Sequence, residues 1–261
     1  MQVHFYKYEA TGNDFVVFDN RKTGIKLSAH QIQRICDRRF GVGADGLMLI
    51  EEHPGLDFNL IYYNADGSQS LCGNGARAAV RMASSLGLIN GHAKFNAHDG
   101  RHDAEILDQG IVKLRMNDVS GAKKSGDNWF INTGSPHFIK FVKNVAAYPV
   151  VAEGRQIRND PAFAPGGTNA NFVELLGGNK LFVRTYERGV ENETYSCGTG
   201  ITAAALAAHS MGYQSPVNIK TLGGELTVEF KVGQTGSNEP VFLDIFLIGP
   251  AKMVFQGDLE L

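Results

Sequence analysis

The feature that most constrains this chain is a stretch that occurs twice. Residues 197–212 read Cys-Gly-Thr-Gly-Ile-Thr-Ala-Ala-Ala-Leu-Ala-Ala-His-Ser-Met-Gly, and residues 72–87 read Cys-Gly-Asn-Gly-Ala-Arg-Ala-Ala-Val-Arg-Met-Ala-Ser-Ser-Leu-Gly. An offset of 197 − 72 = 125 positions sets Cys72, Gly73, Gly75, Ala78, Ala79, Ala83, Ser85 and Gly87 against Cys197, Gly198, Gly200, Ala203, Ala204, Ala208, Ser210 and Gly212. Runs of Ala, Leu and Met without Pro predict a helix in each stretch, and Gly87 and Gly212 stand where a glycine stop belongs. The Cys-Gly-x-Gly opening leaves the first turn almost without side chains. Backbone N–H groups that have no partner inside the helix can then approach an anion or a thiolate closely. Each helix is followed by a short extended run, a glycine turn and a second extended run, around Gly100 and around Gly223-Gly224, so the chain reads as two homologous halves.

Two halves in 261 residues leave each long enough to bury its own core. With 43% apolar and 20% charged residues and a net charge of −2, nothing pulls the chain towards nucleic acid or a membrane surface. An apolar run of membrane-spanning length is missing, and the start, Met-Gln-Val-His-Phe-Tyr-Lys-Tyr-Glu, lacks the basic and apolar segments of a signal peptide. The expectation is a cytoplasmic protein whose three cysteines stay reduced.

Alternating apolar patterns predict strands over residues 3–8, 14–19, 47–51, 57–63, 101–107, 111–116, 180–187 and 241–247, with more strand within 130–141, 167–175 and 253–255. A helix follows Ser28, a fitting N-cap, with Ile32, Ile35 and Phe40 on one face and Cys36 beside it as a buried small apolar residue. Residues 119–128 read as the connection between the halves. Gly41-Val-Gly-Ala-Asp-Gly46 fits a dinucleotide-binding spacing, but it comes after a helix and before a strand, the reverse of what such a site needs, and is read as a tight turn. Neither Cys-Gly-x-Gly stretch carries the Gly-Lys-Ser/Thr of a P-loop, which removes nucleotide hydrolysis.

A thiol of ordinary pKa is only a few per cent thiolate at neutral pH, and a helix N-terminus favours the anion by up to about 2 kcal/mol. Should the halves face one another, two such cysteines would reach one carbon from both sides. Inverting a stereocentre by deprotonation needs this pairing: a base on one face, an acid on the other, and charge stabilisation for a carboxylate that becomes enediolate-like. Two thiolates side by side would repel, so a thiol and thiolate titrating as a coupled pair is expected.

Asn13 in Gly-Asn-Asp-Phe, the segment Cys-Asp-Arg-Arg-Phe-Gly-Val-Gly-Ala-Asp-Gly, Asn64-Ala-Asp-Gly-Ser, Cys72-Gly-Asn-Gly-Ala-Arg, Gly-Ser-Pro-His137, Gly-Thr-Asn169 and Tyr-Glu187-Arg188-Gly followed by Cys197-Gly-Thr-Gly together resemble the diaminopimelate epimerases, in order and across both halves. The resemblance implies an α+β fold of two pseudo-symmetric β-rich domains, each a curved sheet or barrel around a central helix, spanning 1–117 and 118–248, with 249–261 returning to the first. It implies an epimerase that needs no cofactor or metal, interconverts LL- and meso-2,6-diaminopimelate in lysine and cell-wall precursor biosynthesis, and forms a homodimer. Cys72 and Cys197 would be the acid–base pair. Gly73, Asn74, Gly198 and Thr199 would hold the reacting carboxylate, with His137 beside the cysteines. Asn13, Asn64, Asn169 and Arg188 would bind the far end of the substrate, and Glu187 would take its ammonium group.

Other readings stand beside this one. A sister racemase acting on histidine or a hydroxyproline would share the scaffold. A thiol redox protein is a different class, but no Cys-x-x-Cys pair occurs, and residues suited to carboxylates and an ammonium group would be idle in it. A non-catalytic binder of amino acids is a further alternative.

Overall fold

The computed structural model describes residues 1–234 and 240–261, in two compact units: Met1–Leu114 with Gly249–Leu261, and Arg115–Ile248. The first unit runs through β1 (Gln2–Ala10), β2 (Asn13–Asp19), α1 (Ala29–Cys36), β3 (Gly46–Glu51), β4 (Phe58–Asn64), α2 (Gly73–Ser85), β5 (His92–Ala97), β6 (Gly100–Ile106) and β7 (Ile111–Arg115). The second runs through β8 (Lys123–Ser125), β9 (Asn128–Asn132), β10 (Pro136–Phe141), α3 (Val150–Arg158), β11 (Asn169–Gly177), β12 (Lys180–Glu187), β13 (Asn192–Thr194), α4 (Gly198–His209), β14 (Val217–Lys220), β15 (Glu225–Gln234) and β16 (Pro240–Pro250). The last strand, β17 (Lys252–Glu260), pairs antiparallel with β1 and so belongs to the first unit.

Connectivity repeats along with the helices. From β1 to β7 successive pairings are antiparallel, parallel, antiparallel, parallel, antiparallel and antiparallel. The same order runs through β9, β10, β11, β12, β14, β15 and β16. A parallel pair cannot be closed by a tight turn, and in each unit both parallel pairs are bridged by a crossover that carries a helix: α1 and α2 in the first, α3 and α4 in the second. The duplication read from two short stretches thus extends through the whole strand order.

Each unit is organised around one enclosed helix. α2 lies against β1, β2, β3, β4, β6 and β17, and α4 against β9, β10, β11, β12, β14 and β15. A helix walled in by strands has no wet face, which explains its Ala and Gly content: small side chains let the strands come close on every side. From Gly73 to Ala83 every residue but Arg81 is buried, and from Gly198 to Ala208 every residue but Thr199. Both helices end as the glycines predict. Gly87 has φ 71° and Leu88 N–H reaches the Ala83 carbonyl; Gly212 has φ 89° and Tyr213 N–H reaches the Ala208 carbonyl, a left-handed cap in each case.

Ser28 caps α1 in a reciprocal box with Gln31, and Ile32, Ile35 and Cys36 join a core cluster with Phe18, Leu47 and Leu49. Phe40 does not share that face. The helix stops at Cys36, and Phe40 is 68% exposed beneath the guanidinium of Arg34, because Asp37 turns the chain by accepting the N–H groups of Arg39 and Phe40. Residues 41–46 form the expected turn, with Gly43 at φ 80° and a Gly46 Cβ position only 2.6 Å from the Tyr62 hydroxyl. Residues 119–128, read as a plain connection, contain β8, which pairs with β9. α3 has no counterpart in the sequence reading. Its apolar residues Val150, Val151 and Ile157 include a β-branched pair that suggests strand, and it folds as helix because that edge packs with Ala170, Phe172 and Tyr186.

α3 approaches β12 at Gly154, where an added Cβ would stand 2.3 Å from Tyr186 Cβ. Gly154→Ala is expected to lower unfolding stability by about 1–3 kcal/mol despite alanine's better helix propensity, because neither backbone can yield freely. Urea unfolding of the two proteins measures this; an unchanged or raised midpoint contradicts the packing.

Candidate active site

In the first unit Cys72 is the N-cap of α2, with φ −127° and ψ 109°, and its Sγ accepts the Gly75 N–H at 3.3 Å. An N-cap side chain is held over the first turn, so the sulfur sits among amides carrying the positive end of the helix dipole. Asn13 stands beside it, its Oδ1 3.5 Å from Cys72 Sγ and 3.4 Å from Asn74 Nδ2. Its Nδ2 donates to Asp45 Oδ2 at 2.7 Å, which fixes the amide with the oxygen towards the sulfur. A two-residue turn delivers Asn13: Thr11 and Gly12 have φ 51° and 84°, and a β-branched residue in the left-handed region is a strained position.

Beneath the first turn lies Arg77, fully buried. Its guanidinium donates to Asn74 Oδ1 at 2.9 Å, to Thr11 Oγ1 at 3.3 Å and to the Gly73 carbonyl at 3.5 Å. Loss of water pulls its pKa down to about 10, and the fields of Cys72 and Glu9 hold it back up. Asn74 is thereby oriented with its oxygen towards Arg77 and its amide towards Asn13. Asn64, at the end of β4, is tied into its own turn by Ser68 Oγ at 2.9 Å and Ser70 Oγ at 3.2 Å.

The second unit places Cys197 as N-cap of α4, with φ −117° and ψ 107°, nearly the backbone geometry of Cys72. Its Sγ lies 3.6 Å from Thr199 Oγ1. Thr199 Oγ1 is 2.9 Å from His137 Nε2, and the Thr199 carbonyl accepts from Thr133 Oγ1 at 2.9 Å. His137 is fully buried, and burial, reinforced by the positive field of Arg188, pushes its pKa down to about 3, so the ring is neutral. Gly198 and Gly200 leave the turn bare; a Cβ on Gly200 would meet Asn171 Oδ1 at 2.3 Å and the His137 ring at 3.2 Å.

Asn169 and Arg188 are brought together: the Arg188 backbone N–H donates to Asn169 Oδ1 at 2.9 Å, while Asn169 Nδ2 donates to Ser135 Oγ and the Pro136 carbonyl. The half-buried Arg188 guanidinium reaches the Gly166 carbonyl at 3.3 Å, and Glu187 Oε2 accepts from Thr194 Oγ1 at 2.9 Å. Sequence reasoning did not single out Arg77, Thr11, Asn171, Thr185 or Thr133. A signal existed for Asn171: in Asn169-Ala-Asn171 a polar residue recurs at the strand period inside an otherwise buried strand.

The profile of the diaminopimelate epimerase family matches residues 5–120 and 129–254. The chain belongs to the diaminopimelate epimerase family. A diaminopimelate epimerase of Flavobacterium psychrophilum is 44% identical over 255 residues, spanning 96% of this chain and 98% of that one. One of Aquifex aeolicus is 37% identical over 281 residues, spanning 99% and 98%. Among solved structures, a phenazine biosynthesis protein of the PhzF family from Bacillus anthracis superposes with a TM-score of 0.77 at 15% identity over 100% of both chains. A hydroxyproline epimerase from Agrobacterium vitis, with bound trans-4-hydroxy-L-proline, does so with 0.68 at 13% identity over 99% of this chain and 92% of that one. At such identities these two show the shared α+β epimerase fold.

The buried neutral His137 has a consequence for acid stability. Its pKa is 6.5 ordinarily and about 3 in the fold, so between these values the unfolded chain binds a proton that the folded chain does not. The contribution is fully present above pH 6.5 and is lost at about 1.4 kcal/mol per pH unit as pH falls towards 3. Unfolding free energies at pH 6.5, 5.5 and 4.5 should fall more steeply for wild type than for His137→Asn, a comparison in which the carboxylates common to both proteins cancel. Parallel lines would show that His137 is not held neutral.

Proposed function

We propose that the chain is a cofactor-independent isomerase that interconverts LL- and meso-diaminopimelate by exchanging the α-proton between the sulfurs of Cys72 and Cys197. One observation carries the reading. Each unit sets a cysteine at the N-cap position of its enclosed helix, before a glycine turn, with nearly the same backbone angles at the same point of the same strand order. Glycine-started Ala helices need no cysteine at the N-cap, where Ser, Asp or Asn cap better.

In the proposed reaction a thiolate takes the α-proton, and the electron pair of the C–H bond moves into the carboxylate as an enediolate. The thiol from the other unit then delivers its proton to the opposite face, so the product has the inverted centre and the two sulfurs have exchanged protonation states. N–H groups of the first turns of α2 and α4, with Gly73, Asn74, Gly198 and Thr199, stabilise the carboxylate as its charge grows. Arg188 offers a planar multi-donor cation for the far carboxylate and Glu187 an acceptor for the far ammonium, with Asn13, Asn64 and Asn169 completing that end. His137 acts beside Cys197. Cys36 stands outside the chemistry, since burial in an apolar cluster pushes its thiol up to about 11.

The same reading includes a cytoplasmic homodimer serving lysine and cell-wall precursor synthesis. Among the described residues no helix is long and apolar enough to cross a membrane.

Solvent deuterium uptake at the α-carbon of LL-diaminopimelate tests the reaction. Cys72→Ala and Cys197→Ala should each lower epimerisation by about 10²- to 10⁴-fold, and Cys36→Ala should leave it unchanged. Substantial turnover by Cys72→Ala would assign that face to another group. Arg188→Ala should lower kcat/KM for diaminopimelate on the order of 10²-fold, because a desolvated carboxylate loses its bidentate partner. Faster turnover of histidine or hydroxyproline than of diaminopimelate by the wild type would move the substrate to a sister racemase.

A further inference from the structure

Behind His137 the inward faces of three strands supply a row of polar side chains. In β10, β11 and β12 the registers set His137 opposite Asn169, Ile139 opposite Asn171, and Asn171 opposite Thr185. Asn171 is fully buried and Thr185 nearly so. Asn171 Nδ2 donates to the Phe138 carbonyl at 3.1 Å and faces His137 Nδ1 at 3.2 Å, while its Oδ1 accepts from Thr185 Oγ1 at 2.9 Å.

These contacts decide where protons sit. A backbone carbonyl only accepts, so the amide nitrogen of Asn171 must be the atom beside Phe138. The same nitrogen then offers its second hydrogen to His137 Nδ1, which must be the bare, accepting nitrogen of the ring. A neutral imidazole with Nδ1 bare carries its hydrogen on Nε2, and Nε2 is the atom 2.9 Å from Thr199 Oγ1. Thr199 Oγ1 accepts that hydrogen and keeps its own, single hydrogen to give away. Cys197 Sγ, 3.6 Å off, lies within reach of a hydroxyl donor to sulfur.

We infer that Asn171, oriented by the Phe138 carbonyl and Thr185, is a positioning residue that locks His137 in the Nε2–H tautomer and so commits the Thr199 hydroxyl to donate to Cys197. The assignment rests on the reading of Cys197 as a proton-transfer residue. Its effect is to supply a hydrogen bond that is strongest when the sulfur is an anion. With the other tautomer, bare Nε2 would draw the Thr199 hydrogen to itself, and the sulfur would face an oxygen lone pair. Gly200 is part of the device, since any larger residue there would displace the Asn171 amide. Arg188 is the charged group whose field reaches the ring, and it opposes a second proton on it.

The test separates tautomer from catalysis. In enzyme labelled with ¹⁵N-histidine, the His137 signals, assigned by their loss in His137→Asn, should show Nε2 protonated and Nδ1 bare from pH 6 to 8. Asn171→Asp, which replaces the donor by an oxygen, should move the ring proton to Nδ1 and lower kcat by about 10-fold or more with KM within about threefold. Asn171→Asp should also raise the basic-side demand of the reaction, moving the acid limb of the kcat profile to higher pH. Thr185→Val should share the effect in part, and Thr185→Ser, which keeps the hydroxyl, should restore it; this pair serves if the Asp variant fails to fold. Protonated Nδ1 in the wild type overturns the inference, as does Asn171→Asp with an unmoved tautomer or an unchanged kcat. Should the wild type fail to exchange the α-proton of diaminopimelate, the functional reading falls while the tautomer signals still decide the role of Asn171.

Discussion

An N–H group in the first turn of a helix has no carbonyl to bind within that helix, and at the end of α2 or α4 it has little water either. Both helices are enclosed by strands along their length. Those amides therefore have to be satisfied by whatever stands at the N-cap and by what binds there. An oxygen side chain would serve stability better than sulfur, a weaker acceptor. Placing cysteine there gives up part of the cap and gains a sulfur whose anion is favoured by the helix end. The rest of the local sequence follows from this choice. The turn must be glycine so that backbone and ligand can meet, the body must be alanine so that the sheet can close, and a left-handed glycine ends each helix and turns the chain towards the next strand.

Although the units share one connectivity, their half-sites differ in what lies beneath the first turn. Five residues after Cys72 stands Arg77; five after Cys197 stands Thr202, whose hydroxyl bonds the Gly198 carbonyl at 3.0 Å. Burying a guanidinium is costly, and here the Nε–H finds no acceptor among the described residues, a penalty of about 1–3 kcal/mol by itself. What offsets it is a set of acceptors from Asn74, Thr11 and Gly73, plus the field of Cys72. Among the described residues of the second unit no such cation lies beneath the first turn, and the neutral groups His137 and Thr199 stand beside its sulfur. Duplication supplied two copies of a frame, and the polar residues packed against each frame diverged.

The parts of this architecture that follow from local rules were visible in the sequence: both enclosed helices, their caps and glycine stops, the Ser28 cap, and β12 to the residue. Asn13, Asn64 and Arg188 came from the family resemblance, since by local rules alone they read as turn or surface residues. What stayed hidden depends on contacts far apart in the chain. α3 is helical because its apolar edge packs against Ala170, Phe172 and Tyr186, with Gly154 allowing the close approach, and no nearest-neighbour pattern announces that. Phe40 has the right spacing for the face of α1, yet Asp37 ends the helix first. Arg77 reads as one more charge on a helix, when the enclosing strands of its unit make it the most deeply buried cation there. Asn171 and Thr185 acquire meaning only from register, since it is the pairing of β10, β11 and β12 that stacks them behind His137.

A reaction that inverts one centre in either direction sets a condition on these differences. In the proposed two-sulfur reaction one sulfur is anion and the other thiol at each turnover, and the next turnover in the reverse sense needs the opposite arrangement. If one arrangement lay far below the other, the enzyme would serve one direction only through a rare species, at a cost of tenfold in population for every 1.4 kcal/mol. The two half-sites supply opposed contributions. In the first unit the field of Arg77 and the Gly75 N–H act on Cys72, and in the second the Thr199 hydroxyl, which also meets the neutral His137, lies against Cys197. A buried full charge stands near one sulfur, and a row of neutral polar groups stands near the other. The proposed reaction requires only that neither arrangement lie far below the other, not that the two surroundings be alike, so the divergence of the two units is compatible with it.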